Sequence, residues 1–245
     1  MSYKELLHKM KSLKLHGMAT SYQTVVETNR SVDFTNDELL NYLIEAEWND
    51  KEQRRMARHI KNAAFRYDAH IEQIDYDPER KLDKNLVMRL ADCSYLARNE
   101  NVIITGATGC GKSYLASALG LQACVRSHST IYYNSSKLFD TLQIAKADNS
   151  HVRLLQKIQK QKLLIIDDFG LHKFTPESRL LFMEIIEDRH ERSSTIISSQ
   201  FPVTAWHALI GSATIADAIL DRLVYSSHRI ELSGPSLRQK YKNID

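Results

Sequence analysis

The sequence predicts an α/β domain, a parallel sheet flanked by helices, preceded by a small all-helical domain. Three observations carry that expectation. From Leu82 onward, short β-branched apolar runs alternate with helical patterns, the arrangement that gives a parallel sheet covered by helices. Residues 101–119, NVIITGATGCGKSYLASAL, set the pattern G-x-x-x-x-G-K-[ST] between one such run and the helix that follows it. Before Asp77-Pro78 the periodicity is helical, and that dipeptide ends the run, so the domains are expected at residues 1–78 and 79–245.

Taken in order, Tyr3, Leu6, Leu7 and Met10 recur at helical spacing and continue through Leu13 and Leu15 towards an expected break at Gly17. Met18, Tyr22, Val25 and Val26 suggest a second helix. A longer helix starts at Thr35, where Thr35-x-x-Glu38 forms a capping box ahead of Leu39, Leu40, Leu43 and Ile44. It continues or restarts through Trp48, Met56, Ile60, Ala63 and Ala64. Within residues 51–66 the cations Lys51, Arg54, Arg55, Arg58, Lys61 and Arg66 face a single acid, Glu52, and most fall opposite the apolar stripe. They form either a solvated helix face or a surface for phosphates.

Val102, Ile103 and Ile104 read as a buried strand that breaks at Gly106. Gly106, Ala107, Thr108, Gly109, Cys110 and Gly111 then fold tightly enough for backbone N–H groups and the start of the next helix, through Tyr114, to face phosphate oxygens. Lys112 is expected to hold the β- and γ-phosphates, and Ser113 to ligate Mg²⁺. Thr130 to Asn134 is a second strand, and Ser135 or Ser136 is expected to cap the helix after it. The connection beyond is basic, with Lys137, Lys146, Arg153, Lys157, Lys160 and Lys162 against Asp140 and Asp148, and again reads as an exposed helix or a DNA-facing one. Leu163, Leu164, Ile165 and Ile166 close in Asp167-Asp168, carboxylates at the rim where a parallel sheet binds ligands. Asp167 is expected to hold Mg²⁺ and Asp168 to orient or deprotonate the attacking water. A fourth strand, Ser194 to Ser199, ends in Gln200. A helix closed by Asp221-Arg222-Leu223 and a last strand over 228–232 complete the pattern.

At 245 residues the chain has room for a real core, and its 43% hydrophobic and 26% charged residues are those of a soluble globular protein. No apolar run approaches membrane-spanning length, and the N-terminal sequence lacks a signal-peptide core, so a cytoplasmic location without membrane partners is expected. Cys93, Cys110 and Cys124 have no metal-ligand spacing. The formal charge of +3 is too small by itself to prove a nucleic-acid partner.

The segments GATGCGKS, LLIIDDFG, TIISSQFP, LDRL and GPSLR, in this order, resemble the AAA+ ATPases of the initiator and helicase-loader group, and most of all the IstB-type transposition helpers, relatives of the DnaC helicase loader. The N-terminal stretch around KLHGMATSY extends the likeness over nearly the whole chain. The resemblance implies an ATPase that forms a nucleotide- and DNA-dependent ring or spiral of identical subunits on duplex DNA and recruits a transposase. It also implies roles for Gln200 as a sensor of the γ-phosphate, Arg222 as an arginine finger for the neighbouring subunit, and Arg238 as a second sensor. The chain departs from most AAA+ proteins in having too few residues after Arg238 for a full C-terminal lid. A plainer role for Arg222 is a surface pair with Asp217 or Asp221. A DnaC-like helicase loader is the alternative function, and a small-molecule kinase is disfavoured because no acceptor-site pattern follows the loop.

Overall fold

The computed structural model describes residues 2–237. Every apolar run offered as a strand falls in one parallel sheet: β1 (Asn101–Gly106), β2 (Thr130–Asn134), β3 (Leu163–Phe169), β4 (Ser194–Ser199) and β5 (Ser227–Leu232). The order is β2-β3-β4-β1-β5, and all neighbours run parallel. Side chains alternate across the sheet as the pleat requires. Val102 and Ile104 join one apolar cluster, with Ile165 and Tyr132, while Ile103 joins the other, with Ile166, Phe169, Phe182 and Trp206. Both faces are covered, which is why the central strands read as unbroken apolar runs.

Eleven helices are described: α1 (Tyr3–Ser12), α2 (His16–Glu27), α3 (Asn36–Ala63), α4 (Lys84–Ala91), α5 (Ser94–Ala97), α6 (Lys112–Val125), α7 (Ser135–Ala147), α8 (His151–Gln159), α9 (Pro176–Arg189), α10 (Val203–Ile210) and α11 (Ala213–Val224). None is long and apolar enough to cross a membrane. Because β4 lies between β1 and β3, the carboxyl ends of these three strands share one rim, where α6 leaves β1 through the glycine-rich loop.

The chain divides into two compact units, Met1–Arg58 and His59–Asp245. The boundary lies inside α3, ahead of the 78/79 division read from Asp77-Pro78. Ala69, Ile71 and Ile74 are buried in the same cluster as Leu115 and Leu119 of α6, so residues 59–78 fold with the sheet. Pro78 only opens a short 3₁₀ turn, Pro78–Arg80.

In the first unit Thr35 and Glu38 form the expected capping box, the Glu38 N–H donating to Thr35 Oγ1 and the Thr35 N–H to Glu38 Oε2. The break expected at Gly17 falls earlier, at Lys14, whose φ is +60°. Gly17 lies in the first turn of α2, where a Cβ would sit 2.4 Å from the Ala46 carbonyl oxygen. The residue serves a close approach of helices, not a turn. The α7 cap also differs: Asn134 holds the cap position without a side-chain bond to the helix, and Ser135 Oγ donates instead to the Asp168 carbonyl oxygen at 2.9 Å.

Candidate nucleotide site

The phosphate-binding loop forms as its glycines demand. Gly109 and Gly111 have φ of +85° and +95°, a region that favours glycine. A Cβ on Gly109 would lie 2.2 Å from Ser236 Oγ, and one on Gly111 2.7 Å from Arg80 Nη2. Arg80, itself buried, donates from Nη2 to the Cys110 carbonyl oxygen at 3.0 Å and from Nη1 to that of Asp75. The Leu237 N–H donates to the Gly109 carbonyl oxygen at 3.0 Å, so segments before and after the sheet brace the loop.

Lys112, at the start of α6, is 6% exposed, and its Nζ donates to the Ala107 carbonyl oxygen at 2.8 Å. Among the described residues no carboxylate pairs with it. An ammonium sequestered with one neutral partner leaves a charge for an anion to satisfy.

The acids are arranged by a bulge. Pairing of β3 with β4 shifts between Ile166 and Phe169, so Asp167 and Asp168 together oppose the single residue Ser198. Asp168 adopts φ +59°, a left-handed conformation that costs a non-glycine residue about 1–3 kcal/mol. In a regular strand the two side chains would point to opposite faces. Here one guanidinium reaches both: Arg66 Nη1 lies 3.1 Å from Asp168 Oδ2 and 3.7 Å from Asp167 Oδ2.

Asp167 is fully buried and accepts hydrogen bonds from Ser113 Oγ at 2.9 Å, from Ser198 Oγ and from Tyr132 Oη. Burial, reinforced by the Asp167 carboxylate, pushes the Tyr132 hydroxyl far above its ordinary range, so it stays protonated and donating. Asp168 Oδ2 also accepts from Asn134 Nδ2 at 3.0 Å. Gln200, just beyond β4, accepts from Thr108 Oγ1 of the loop at 2.8 Å, which puts it on the same rim.

These residues bound a cleft of about 460 Å³ lined by Arg66, Thr108, Lys112, Ser113, Asp168 and Gln200. A cavity of about 290 Å³ shares Gly111, Tyr114 and Leu237 with it and adds Gln73, Ile74 and Asp75. Ser113 and Asp167 fit Mg²⁺, which takes one or two protein oxygens and completes its shell with phosphate and water. Among the described residues no cluster of three or more His, Cys, Asp or Glu could hold a metal ion.

Arg222 lies elsewhere. Its carbonyl oxygen accepts from Asn101 Nδ2, at the amino end of β1, whereas the phosphate loop follows the carboxyl end. The strand between spans six residues, about 3.3 Å each. Its guanidinium pairs with Glu187 at 2.8 Å, not with Asp217 or Asp221. A larger cleft of about 600 Å³ opens at this rim, but its other arginines are already engaged. Arg98 holds Glu100, and buried Arg189 donates to Thr195 Oγ1 and to the carbonyl oxygens of Ile158, Gln161 and Ser194. Arg238 lies outside the described residues.

The basic surfaces differ in how free their charges are. On α3, Lys51 pairs with Glu47 at 3.3 Å, Arg54 with Glu47 and Asp50, and Arg55 with Glu52 at 3.0 Å. The acids just upstream of residue 51 thus neutralise part of the patch. Burial alone would push Glu47 up, yet the Met18 N–H and Lys51 hold its carboxyl below the ordinary range. Arg58, Lys61, Lys137, Lys146 and Arg153 are exposed and form no ion pair among the described residues.

Several site residues carry no motif. Arg66 sits in the sequence as one more cation of a basic run, and Tyr132 as one of two tyrosines in a strand. The available signals were a polar hydroxyl inside an apolar strand, and Asn134 at the strand tip, level in register with Asp167.

The comparisons agree with this geometry. An insertion sequence ATP-binding protein of Sinorhizobium fredii is 41% identical over 236 residues, covering 96% of each chain. The insertion sequence IS21 ATP-binding protein of Pseudomonas aeruginosa is 31% identical over 238 residues, covering 97% of this chain and 90% of that one. The DnaC helicase loader superposes with a TM-score of 0.58 at 14% identity over 68% of this chain and 98% of that one. AMPPCP-bound DnaA from Aquifex aeolicus gives 0.60 at 17% over 74% and 57%. At these identities the solved structures share the fold alone, a parallel sheet flanked by helices. The family model for IstB-like ATP binding proteins matches residues 8–244, and the chain belongs to that family.

Proposed function

We propose that this protein is an ATP-hydrolysing regulator of transposition that assembles in several copies on duplex DNA and engages the transposase of its element. The observation that carries the ATPase reading is the sequestered Lys112 ammonium sharing one cleft with Asp168 and with Ser113, whose hydroxyl is bonded to the buried Asp167. Lys112 leaves the Ala107 carbonyl for the β- and γ-phosphate oxygens. Ser113 and Asp167 would hold Mg²⁺, which would supply positive charge against the phosphates. Asp168, fixed by Asn134, orients the attacking water or takes its proton. Gln200, held by Thr108, reads the γ end, and the smaller cavity beside Tyr114 accommodates the nucleoside. Arg222 is a whole strand away from its own loop, so only another subunit's nucleotide is within its reach, which favours an oligomeric enzyme.

Transposition is favoured over helicase loading because the full-length likeness is to insertion-sequence proteins, whereas the loader likeness is one of fold. Exposed Arg58, Lys61, Lys137, Lys146 and Arg153 suit phosphate contacts that ignore base sequence and weaken steeply with salt.

The experiment is subunit mixing on DNA. Lys112→Ala should bind no ATP, and Arg222→Ala should bind it but hydrolyse it poorly. Mixtures should regain activity at interfaces that pair an intact loop with an intact Arg222, since such fingers contribute about 10³ to 10⁵ in rate. Inactive mixtures in oligomers shown to be mixed would rule out the shared site.

A further inference from the structure

We propose that Arg66 is the residue by which this cleft distinguishes ATP from ADP, a guanidinium that rests on the catalytic acid and moves to the γ-phosphate when one arrives. The inference rests on the reading of the cleft as an ATP site.

Arg66 belongs to no motif and to no strand or helix of the sheet. The chain leaves α3 through Ala64, at φ +54°, and its next three residues are anchored one by one. Phe65 packs over Gly120 of α6, where a Cβ would lie 2.6 Å from Phe65 Cε1. Tyr67 meets Tyr114 with ring centroids 6.4 Å apart. Between them the Arg66 guanidinium lies 5.4 Å over the Tyr67 ring and points at the acids.

Its bonding there is incomplete. Nη1 donates to Asp168 Oδ2 at 3.1 Å, while Nε and Nη2 form no hydrogen bond among the described residues and the side chain is 41% exposed. A guanidinium offers five donors in a planar fork, and here a single nitrogen is engaged. With Asn134 on the same oxygen, Asp168 Oδ2 has both acceptor positions filled, which leaves Oδ1 as the oxygen open to a water while Arg66 stays in place. A γ-phosphoryl group between Lys112 and Asp168 presents two oxygens to the same fork, a bidentate charge-assisted pair stronger than the single bond it replaces. The exchange draws Arg66 from Asp168 and releases Oδ2 to the attacking water. ADP brings no such group, so the resting pair persists.

The test compares full-length wild type, Arg66→Ala, Arg66→Gln and Arg66→Lys by calorimetric titration with Mg²⁺ and either AMPPCP or ADP, and by hydrolysis at saturating ATP. Arg66→Ala should keep wild-type ADP affinity, lose AMPPCP affinity roughly 10- to 100-fold, as expected for a lost charge-assisted bond, and hydrolyse ATP more slowly. Arg66→Lys should recover part of the preference, because it restores charge without the fork. ADP affinity reports that the variant is folded; should Arg66→Ala lose it, the contrast between Arg66→Lys and Arg66→Gln decides. An AMPPCP-to-ADP preference unchanged in these variants, or hydrolysis faster than wild type, overturns the inference and leaves Arg66 as a brake or a structural pair. A wild type that binds neither nucleotide overturns the cleft reading itself, and this inference with it.

Discussion

Replacing Lys112 by Met should stabilise the nucleotide-free protein while abolishing its response to ATP. Lys112 is 6% exposed, its ammonium has the Ala107 carbonyl oxygen as hydrogen-bond acceptor at 2.8 Å, and it pairs with no carboxylate among the described residues. Methionine fills similar volume without the charge, so the variant sheds the cost of sequestering it, several kcal/mol for a wholly dehydrated ion. One term reduces that gain. The lost hydrogen bond from a charged donor had contributed about 1.5–3 kcal/mol, and the Ala107 carbonyl it leaves can still meet water in the adjoining cleft. A net gain of about 1 kcal/mol remains, which for a unit of this size raises Tm by about 2–4 °C. Wild type should respond oppositely to ligand: at a hundredfold excess over Kd, Mg²⁺ and ATP add about 2.7 kcal/mol to its stability, and nothing to the variant. Thermal denaturation followed by circular dichroism, with and without nucleotide, should therefore show the two proteins changing rank. A nucleotide-free Lys112→Met protein that melts below wild type would refute the account of Lys112 as a strained, anion-awaiting charge.

Tyr132→Phe removes a donor from the buried Asp167 carboxylate and should cost about 1–3 kcal/mol in urea denaturation, whereas Tyr133→Phe on the same strand should cost little. Gly120→Ala should destabilise despite alanine's roughly 1 kcal/mol advantage in helices, because the new Cβ meets Ile165 Cδ1 at 2.5 Å and Phe65 Cε1 at 2.6 Å, and overpacking costs about 1–3 kcal/mol. Two bonds from Arg98, against burial and helped by His228, hold the Glu100 carboxyl down to about 2 from its ordinary 4.5. The stability it contributes is therefore complete above about pH 4.5 and lost as pH falls towards about 2. Discounted for the exposure of Arg98, Glu100→Gln should cost about 1 kcal/mol at pH 7, with the difference from wild type vanishing near pH 2.

What could be read in the sequence is what local pattern determines. The apolar runs ending in Gly106, Asn134, Asp167 and Gln200 mark the strands because burial on both faces of a parallel sheet permits few polar residues. The phosphate loop is legible because its backbone demands glycine at set positions. Features set by distant partners stayed hidden. The α3 patch looked open because its neutralising acids, Glu47 and Asp50, lie just upstream of residue 51 and reach it through the helical i,i+4 spacing. Ser135 looked like a cap, and its hydroxyl is drawn instead to the Asp168 carbonyl exposed by the bulge. The bulge had no composition signature: Asp167-Asp168 reads as a strand tip whether or not one residue turns left-handed. Arg66 lies a hundred residues from the acids it meets, and only packing of Phe65 and Tyr67 brings it there.

The resting site also explains why its geometry can tolerate a strained acid. Each group that would meet nucleotide or metal already has an internal partner: Lys112 the Ala107 carbonyl, Ser113 the Asp167 carboxylate, Thr108 the Gln200 amide, Asp168 the Arg66 guanidinium. Together with Asn134, and with Ser135 and Ser198 on the backbone of Asp168, these contacts outweigh the left-handed φ at that residue. Nucleotide entry is then an exchange of partners more than the filling of an open site, and the exchange is most favourable where a neutral partner gives way to a charged one. Lys112 gains this way from any phosphate, but Arg66 surrenders a carboxylate and gains only if a γ-phosphoryl group replaces it. On the reading proposed above, a site built so would respond to a third phosphate, because the displacement that would favour ATP over ADP also frees one oxygen of the Asp168 carboxylate.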